Sequence, residues 1–246
     1  VADTIVIVPT YNEIEGLAAI IGRIRAAVPQ SDVLIVDDAS PDGTGELADT
    51  LAAADNGISV LHRAGKDGLG RAYVAGFAYA LERGYDYICQ MDADGSHDPA
   101  DLPAMQQLAR DGADLVIGSR WVPGGAVRNW PKSRQAISRT GNTYSRIVLG
   151  SHIHDITAGF RVFRAPALAS LHLNDVSSQG YCFQVETAWK LESGGARVVE
   201  HPITFVERES GSSKMHSGIV VEALVRVTGW GLGSLASRLK PRRSAH

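Results

Sequence analysis

The chain has 246 residues, 44% hydrophobic and 21% charged, enough for one substantial core or two small ones and ordinary for a globular protein. Its formal charge of -3 gives no overall pull toward nucleic acid, so no partner of that kind is expected. No run of about 18 apolar residues is present to span a bilayer. No charged-then-apolar leader opens the chain, which starts at Val1 almost directly in a strand and reads as a complete protein or a domain of a longer one.

Thr4-Ile5-Val6-Ile7-Val8-Pro9 is an apolar, β-branched run, as expected of a strand buried on both faces. Asn12 is placed to cap a helix from Glu13 to Val28, with Leu17, Ile20, Ile21, Ile24 and Val28 on its inner face. Val33-Leu34-Ile35-Val36 is a second buried strand ending in Asp37-Asp38, and the turn Ser40-Pro41-Asp42-Gly43-Thr44 leads to a helix over 45–54. Ile58-Ser59-Val60-Leu61 is a third strand. The glycine-rich Gly65-Lys66-Asp67-Gly68-Leu69-Gly70 then opens a helix that reaches Arg83 and stops at Gly84. Tyr87-Ile88-Cys89-Gln90-Met91 ends in Asp92-Ala93-Asp94-Gly95-Ser96, followed by a helix from about Pro99 to Arg110 and a strand over 114–118.

Strands alternating with helices at this spacing argue for a parallel, doubly wound sheet. Ligands of such sheets sit outside the carboxyl ends of the strands. Those ends carry Pro9-Thr10-Tyr11, Asp37-Asp38 and Asp92-Ala93-Asp94, so polar residues converge on one edge. Two carboxylates one residue apart suit a hard divalent cation, Mg²⁺ or Mn²⁺, that completes its shell with water and phosphate. The same residues also suit a plain Asp/Gly turn. The first strand is not followed by Gly-x-Gly-x-x-Gly, and no P-loop is present, which removes the dinucleotide and P-loop readings. The glycine-rich 65–70 stretch matches neither pattern and reads equally as a loop before a helix. Cys89 and Cys182 lie in apolar surroundings without metal-ligand spacing, which favours buried free thiols in a reducing compartment over a disulfide.

Between Asp114 and Asp155 there is no acidic residue, whereas Arg120, Arg128, Lys132, Arg134, Arg139 and Arg146 are all cationic. Such a stretch suits an anion-handling surface or a solvated basic face. Residues 155–164 read as one strand entering the sheet beside the site, followed by helices near 165–171 and 181–193 and a strand over 197–205. The polar stretch from Val206 to Lys214 carries Arg208 and Lys214, as suits a flap closing over phosphate and equally an ordinary loop. From Ile219 to Leu239, Val220, Leu224, Val227, Leu235 and Leu239 fall near helical spacing, although each of Gly229, Gly231 and Gly233 weakens a helix by about 1 kcal/mol relative to Ala. After Glu222 only cations remain, which suits a helix docked on the core or a basic tail lying on an anionic membrane.

With Pro9-Thr10-Tyr11-Asn12-Glu13, Val36-Asp37-Asp38-Ala39-Ser40-Pro41-Asp42-Gly43-Thr44 and Asp92-Ala93-Asp94 in this order, the chain resembles inverting GT-A glycosyltransferases. Gly118-Ser119-Arg120, Asp155-Ile156-Thr157-Ala158-Gly159-Phe160-Arg161, Gly180-Tyr181-Cys182-Phe183-Gln184-Val185-Glu186 and Phe205-Val206-Glu207-Arg208 through Ser213-Lys214-Met215 make it similar to dolichol-phosphate (polyprenol-phosphate) mannosyltransferases. The resemblance covers about residues 4–215. It implies an α/β, GT-A-type nucleotide-sugar-binding domain over 1–215, with a mostly parallel twisted sheet flanked by helices. A C-terminal helix and basic tail, 216–246, would meet a membrane or partner.

The same resemblance implies metal-dependent transfer of mannose, with inversion, from GDP-mannose to a polyprenyl monophosphate. The protein would be cytoplasmic and peripheral on a membrane face, or held there by an anchoring domain or subunit. Position by position, Pro9, Tyr11, Glu13 and Asp38 would hold the nucleoside, and Ala93 would approach it through its backbone. Asp92 and Asp94 would bind the metal and diphosphate. Some relatives carry Gln at the position of Ser96, the remaining candidate metal ligand. Arg120, Arg208 and Lys214 would contact the donor, with Arg120, Arg134 and Arg139 toward the acceptor phosphate. Asp92, Asp94, Arg208 and Lys214 are the expected catalytic set. A phosphate monoester is already largely anionic near neutral pH, its second pKa being about 6, so no base is assigned. A polyprenyl-phosphate glucosyltransferase using UDP-glucose and a sugar-nucleotide nucleotidyltransferase are the alternatives. The Gln-x-x-Arg-Trp of processive synthases is absent, since Arg120-Trp121 follows Ile117-Gly118-Ser119.

Overall fold

Consecutive β-branched and aliphatic residues become interior strands, because a sheet covered on both faces leaves no polar alternation to make. The computed structural model describes residues 2–171, 173, 181–207 and 224–233. In chain order the first half runs β1 (Thr4–Thr10), α1 (Ile14–Ala27), β2 (Asp32–Asp37), α2 (Thr44–Ala54), β3 (Ile58–His62), α3 (Leu69–Glu82) and β4 (Tyr87–Gln90). A short 3-10 turn, Pro99–Asp101, precedes α4 (Leu102–Arg110), β5 (Leu115–Ser119), β6 (Ala126–Arg128) and α5 (Lys132–Leu149). Then come β7 (Arg161–Arg164), α6 (Ala165–Ala169), α7 (Tyr181–Ser193), β8 (Val198–Pro202) and β9 (Thr204–Val206).

The main sheet has the order β3-β2-β1-β4-β7-β5-β8, and β6 pairs with β9 in a small second sheet. All main-sheet pairings are parallel except those of β7, which runs antiparallel to β4 and β5. Alternate residues of each strand serve opposite layers, as the two-residue period of a strand requires. Ile5, Ile7, Leu34, Val36 and Ile88 pack with Tyr73 and Phe77 of α3 and Phe183 of α7. Val6, Val8, Val33, Ile35 and Cys89 pack with Leu17, Ile21 and Ile24 of α1 and Met105 of α4. Among the described residues the sheet is therefore covered on both faces, which leaves its strand ends open toward a ligand. Cys89 and Cys182 are both free and buried. Burial pushes the Cys89 thiol up to about 12.

Three expectations from sequence are corrected. Asn12 does not cap α1; its backbone is left-handed (φ 59), and the helix begins after Glu13, which makes no side-chain cap. Its free N–H groups are met from the next loop instead, Glu13 N donating to Thr44 Oγ1 (3.0 Å) and Ile14 N to Asp42 (3.3 Å). Residues 155–164 are not one strand: β7 starts at Arg161, and 154–157 form turns. The strand expected over 197–205 splits at Pro202-Ile203, β8 staying in the main sheet while β9 leaves to join β6. The acid-free stretch, given no element from sequence, holds the 18-residue helix α5.

Residues 224–233 are helical and dock on the main body. Val227 is buried, Trp230 stacks on Trp189 with ring centroids 6.0 Å apart, and the Tyr144 and Thr228 hydroxyls lie 2.6 Å apart. Gly231 crosses α5 so closely that a Cβ there would sit 2.6 Å from Val148 Cγ1. The boundary expected between 215 and 216 lies outside the described residues.

Candidate functional site

Parallel strands deliver their carboxyl ends to one edge, and β4 brings Asp92-Ala93-Asp94 to its centre beside β1. Gly95 takes a left-handed turn (φ 74), and the backbone N–H of Ser96 closes back on Asp94 Oδ1 at 3.1 Å. Asp98 then accepts from Ala100 N at 3.0 Å and starts the 3-10 turn with Pro99. The two carboxylates are half-buried, while Ala93 and Ser96 are buried.

Asp92 is held from beneath. The fully buried Tyr73 hydroxyl on α3 donates to its Oδ1 at 2.7 Å. Burial, and then the Asp92 charge itself, pushes the Tyr73 phenol well above its ordinary range, so it remains a donor. His97 accepts from Asp92 N at 3.4 Å through Nδ1, and its ring stacks on Phe160 with centroids 5.0 Å apart. Burial lowers the His97 pKa, which favours the neutral ring that such acceptance needs. The other carboxylate oxygen, Oδ2, faces Gly159, where a Cβ would lie at 3.5 Å. Gly159 is fixed in turn by the buried Arg161, which donates to Ala158 O and Ile156 O (2.8 Å each) and to Thr187 Oγ1 (3.0 Å).

Tyr11 and Asp38 stand at the neighbouring ends of β1 and β2. Thr10 Oγ1, Ser40 N and Ser40 Oγ all donate to Asp37, at 3.1, 3.1 and 2.6 Å, which frees Asp38 to face the other way and pair with Arg63. Asn12 (φ 59) and Ala39 (φ 55) are left-handed in these two loops. Such strain in non-glycine residues gathers where a binding edge must be shaped. Pro9 is buried in β1, and Glu13 is half-buried at the start of α1.

The expected acceptor cations meet around one aromatic group. Arg120 is 8% exposed and clamped by the fully buried Asp155, Nε to Oδ2 at 2.7 Å and Nη2 to Oδ1 at 2.6 Å. It therefore reaches the site already neutralised, with its guanidinium 5.3 Å from the Trp130 ring centroid. Arg134 stacks over Trp130 at 4.2 Å and pairs with Glu207, while Arg139 stacks over Trp121 at 4.5 Å. Arg208 and Lys214 lie outside the described residues.

Tyr73, His97, Arg63 and Asp155 were not assigned roles from sequence. Asp155 carried a signal as the first residue of the Asp-x-Thr-x-x-Phe-Arg run, and His97 by its place just after Asp92-Ala93-Asp94. Tyr73 and Arg63 meet Asp92 and Asp38 through tertiary contacts that no local pattern marks.

Among the described residues, no group of three or more His, Cys, Asp or Glu is placed to hold a metal ion. The protein thus offers Asp92 and Asp94 at an open rim rather than a closed cage. That donor set fits a hard divalent cation that takes its remaining ligands from water and a bound diphosphate.

A mostly parallel α/β sheet with its acidic strand ends on one edge and Asp-x-Asp at the centre is the architecture of a GT-A nucleotide-sugar transferase. Glycosyl transferase family 2 matches residues 5–171, and the chain belongs to that family. It is 58% identical to undecaprenyl-phosphate mannosyltransferase of Micrococcus luteus over 96% of this chain and 97% of that one. It is 52% identical to polyprenol monophosphomannose synthase of Mycolicibacterium smegmatis, over 96% and 90%. Among solved structures, mannosyltransferase PcManGT from Pyrobaculum calidifontis, in complex with GDP-Man and Mn²⁺, shares the fold with a TM-score of 0.58 at 19% identity, over 96% of this chain and 74% of that one. Glucosyl-3-phosphoglycerate synthase from Mycobacterium tuberculosis, with Mn²⁺ and UDP, does so at 0.63 and 18%, over 96% and 79%.

Proposed function

We propose that the protein is a metal-dependent polyprenyl-phosphate mannosyltransferase that moves mannose from GDP-mannose to a polyprenyl monophosphate, inverting the anomeric centre. The observation that carries this reading is the near full-length likeness to an undecaprenyl-phosphate mannosyltransferase and a polyprenol monophosphomannose synthase, at 58% and 52% identity. The site supports it: acidic residues line the donor edge, and arginines and tryptophans gather beside it.

Asp92 and Asp94 would hold Mg²⁺ or Mn²⁺, which when bound supplies positive charge to the diphosphate leaving group. Tyr73 and the Asp92 backbone contact with His97 keep that carboxylate aimed at the rim. Tyr11, Glu13 and Asp38 would seat the nucleoside, with Pro9 and Ala93 walling it. The acceptor phosphate is anionic near neutral pH without help from a base, so the protein's task there is placement. Arg134 and Arg139 would hold the phosphate through paired donors, and Arg120, set by Asp155, would shape the floor. Arg208 and Lys214 would close over the donor phosphates. Ser96, whose N–H is turned onto Asp94, is the weaker metal candidate. The protein would work as a peripheral membrane enzyme, since its acceptor is a lipid.

The test is transfer of labelled sugar to a short polyprenyl phosphate in detergent, from GDP-mannose and separately UDP-glucose, with and without Mg²⁺ or Mn²⁺. Metal-dependent mannosyl lipid from GDP-mannose is expected, together with at least about a hundredfold loss in Asp92→Asn, in line with removing one electrostatic group from an active site. Product from UDP-glucose alone would replace mannose by glucose, and near-normal turnover of Asp92→Asn would remove the metal role.

A further inference from the structure

The glycine-rich loop after β3 is built onto the nucleoside end of the site. Asp37 of β2 pairs with His62 of β3 in the sheet, and the next backbone N–H, that of Arg63, donates to Asp37 O at 2.8 Å. The Arg63 guanidinium then turns across to pair with Asp38 through Nη1. The loop then runs from this anchor at Arg63 to Gly68 at the start of α3. Between them, Lys66 places its ammonium 3.9 Å from the centroid of the Tyr11 ring. Both members of the ion pair are largely shielded, with side chains 16% and 6% exposed. Among the described residues, Nε and Nη2 of Arg63 have no hydrogen-bond acceptor.

Spacing puts this assembly where a base must lie. Neighbouring strands are about 4.8 Å apart, so β2 stands roughly 10 Å from the Asp-x-Asp strand β4 across β1. That distance is on the order of the reach from a diphosphate to its base. A guanine edge presents the 2-amino and N1–H donors next to the O6 and N7 acceptors. A carboxylate takes the first pair and a guanidinium the second. Asp38 and Arg63, already side by side, offer that sequence of acceptor and donor. Uracil has a single ring N–H and would satisfy only half of the carboxylate.

We infer that Arg63 is a specificity-determining residue that, with Asp38, reads the guanine of the donor, and that the 63–68 loop seats the base by holding Lys66 over Tyr11. This deepens the donor assignment above and rests on it.

Equilibrium binding of GDP, IDP and UDP, with Mn²⁺ present, tests it in the wild type, Arg63→Gln and Arg63→Lys. The wild type should prefer GDP to IDP, which lacks the 2-amino group, and IDP to UDP. Losing a bidentate base contact costs roughly ten- to hundredfold, so Arg63→Gln should weaken GDP by that factor and bring the GDP/UDP ratio close to one. Arg63→Lys keeps the charge beside Asp38 but loses the planar fork, and it should fold normally while still losing most of the ratio. If both variants melt like the wild type and keep its GDP/UDP ratio, Arg63 only supports the loop and the inference fails. If the wild type itself prefers UDP, the guanine donor is wrong and the inference falls with it.

Discussion

Asp92 reaches the rim with one oxygen already taken, and the residue that takes it is the fully buried Tyr73. A hydrogen bond to a charged group contributes about 1.5–3 kcal/mol, and partners that orient metal ligands typically account for about 10–100-fold in metal affinity. Tyr73→Phe removes only the hydroxyl and leaves the ring stacked between Phe77 and Phe183. The variant should therefore fold with a melting temperature lowered by a few degrees and bind Mn²⁺ about tenfold more weakly, as read by Mn²⁺ electron paramagnetic resonance with GDP present. Its turnover should recover as Mn²⁺ is raised. Unchanged Mn²⁺ affinity would show that Asp92 is held well enough by the β4 backbone and His97. Nothing in the sequence marks Tyr73, which looks like one more apolar-face residue of α3. Its role depends on a carboxylate 19 positions further along the chain.

Helix α5 shows at the scale of an element why part of the fold was legible and part was not. The interior strands announce themselves because each is an apolar run ended by polar residues, and Asp92-Ala93-Asp94 stands out for that reason. In α5 the pattern is inverted: its buried face includes Asn142 and Ser145, while Ile137 and Ile147 are exposed. The apolar residues Ile137, Tyr144 and Ile147 do recur at helical spacing, but that period marks the outer face and not the buried one. Polar burial is tolerated because Asn142 donates to Asp155 and Thr157, and Thr157 N donates back to Asn142. Asp155 also reaches Arg120, so one carboxylate joins α5, the end of β5 and the turn that carries Gly159. The sequence showed Asp155 as the start of a motif but not the ion pair it makes. Breaking a buried pair by removing one partner costs about 3–5 kcal/mol. Asp155→Ala should lose that much in urea unfolding, the free energy being taken from the denaturation midpoint and slope. A loss below about 1 kcal/mol would mean that Arg120 escapes to water at little cost, contrary to its burial.

Across the whole molecule, charge and apolar exposure are distributed unevenly, and the unevenness has an orientation. The acidic strand ends occupy one edge, whereas α5 and the helical residues 224–233 leave aliphatic side chains bare, with Lys132 and Arg139 exposed elsewhere along α5. Ile147 is 77% exposed, Val225 67% and Leu232 65%, and the two helices are locked where Gly231 meets Val148. Val227 and Trp230 of the same segment point inward, so its exposed residues are a second face rather than failed packing. The whole stretch between Asp114 and Asp155 lacks an acid. With a lipid acceptor proposed for the neighbouring site, the occupant that fits this face is an anionic bilayer surface. Each Lys or Arg near such a surface contributes about 1 kcal/mol, screened over roughly 8 Å at physiological salt, and each inserted aliphatic adds a hydrophobic increment. The protein should sediment with phosphatidylglycerol vesicles but not with phosphatidylcholine vesicles, and should be released as salt rises from about 0.1 M to about 0.5 M. Ile147→Glu with Leu232→Glu should lower that partition roughly tenfold while leaving transfer to a short acceptor in detergent intact, because neither residue is among those assigned to the site. Equal binding to both kinds of vesicle would discard the electrostatic part of this account. Full binding by the double variant would move the membrane face elsewhere on the molecule.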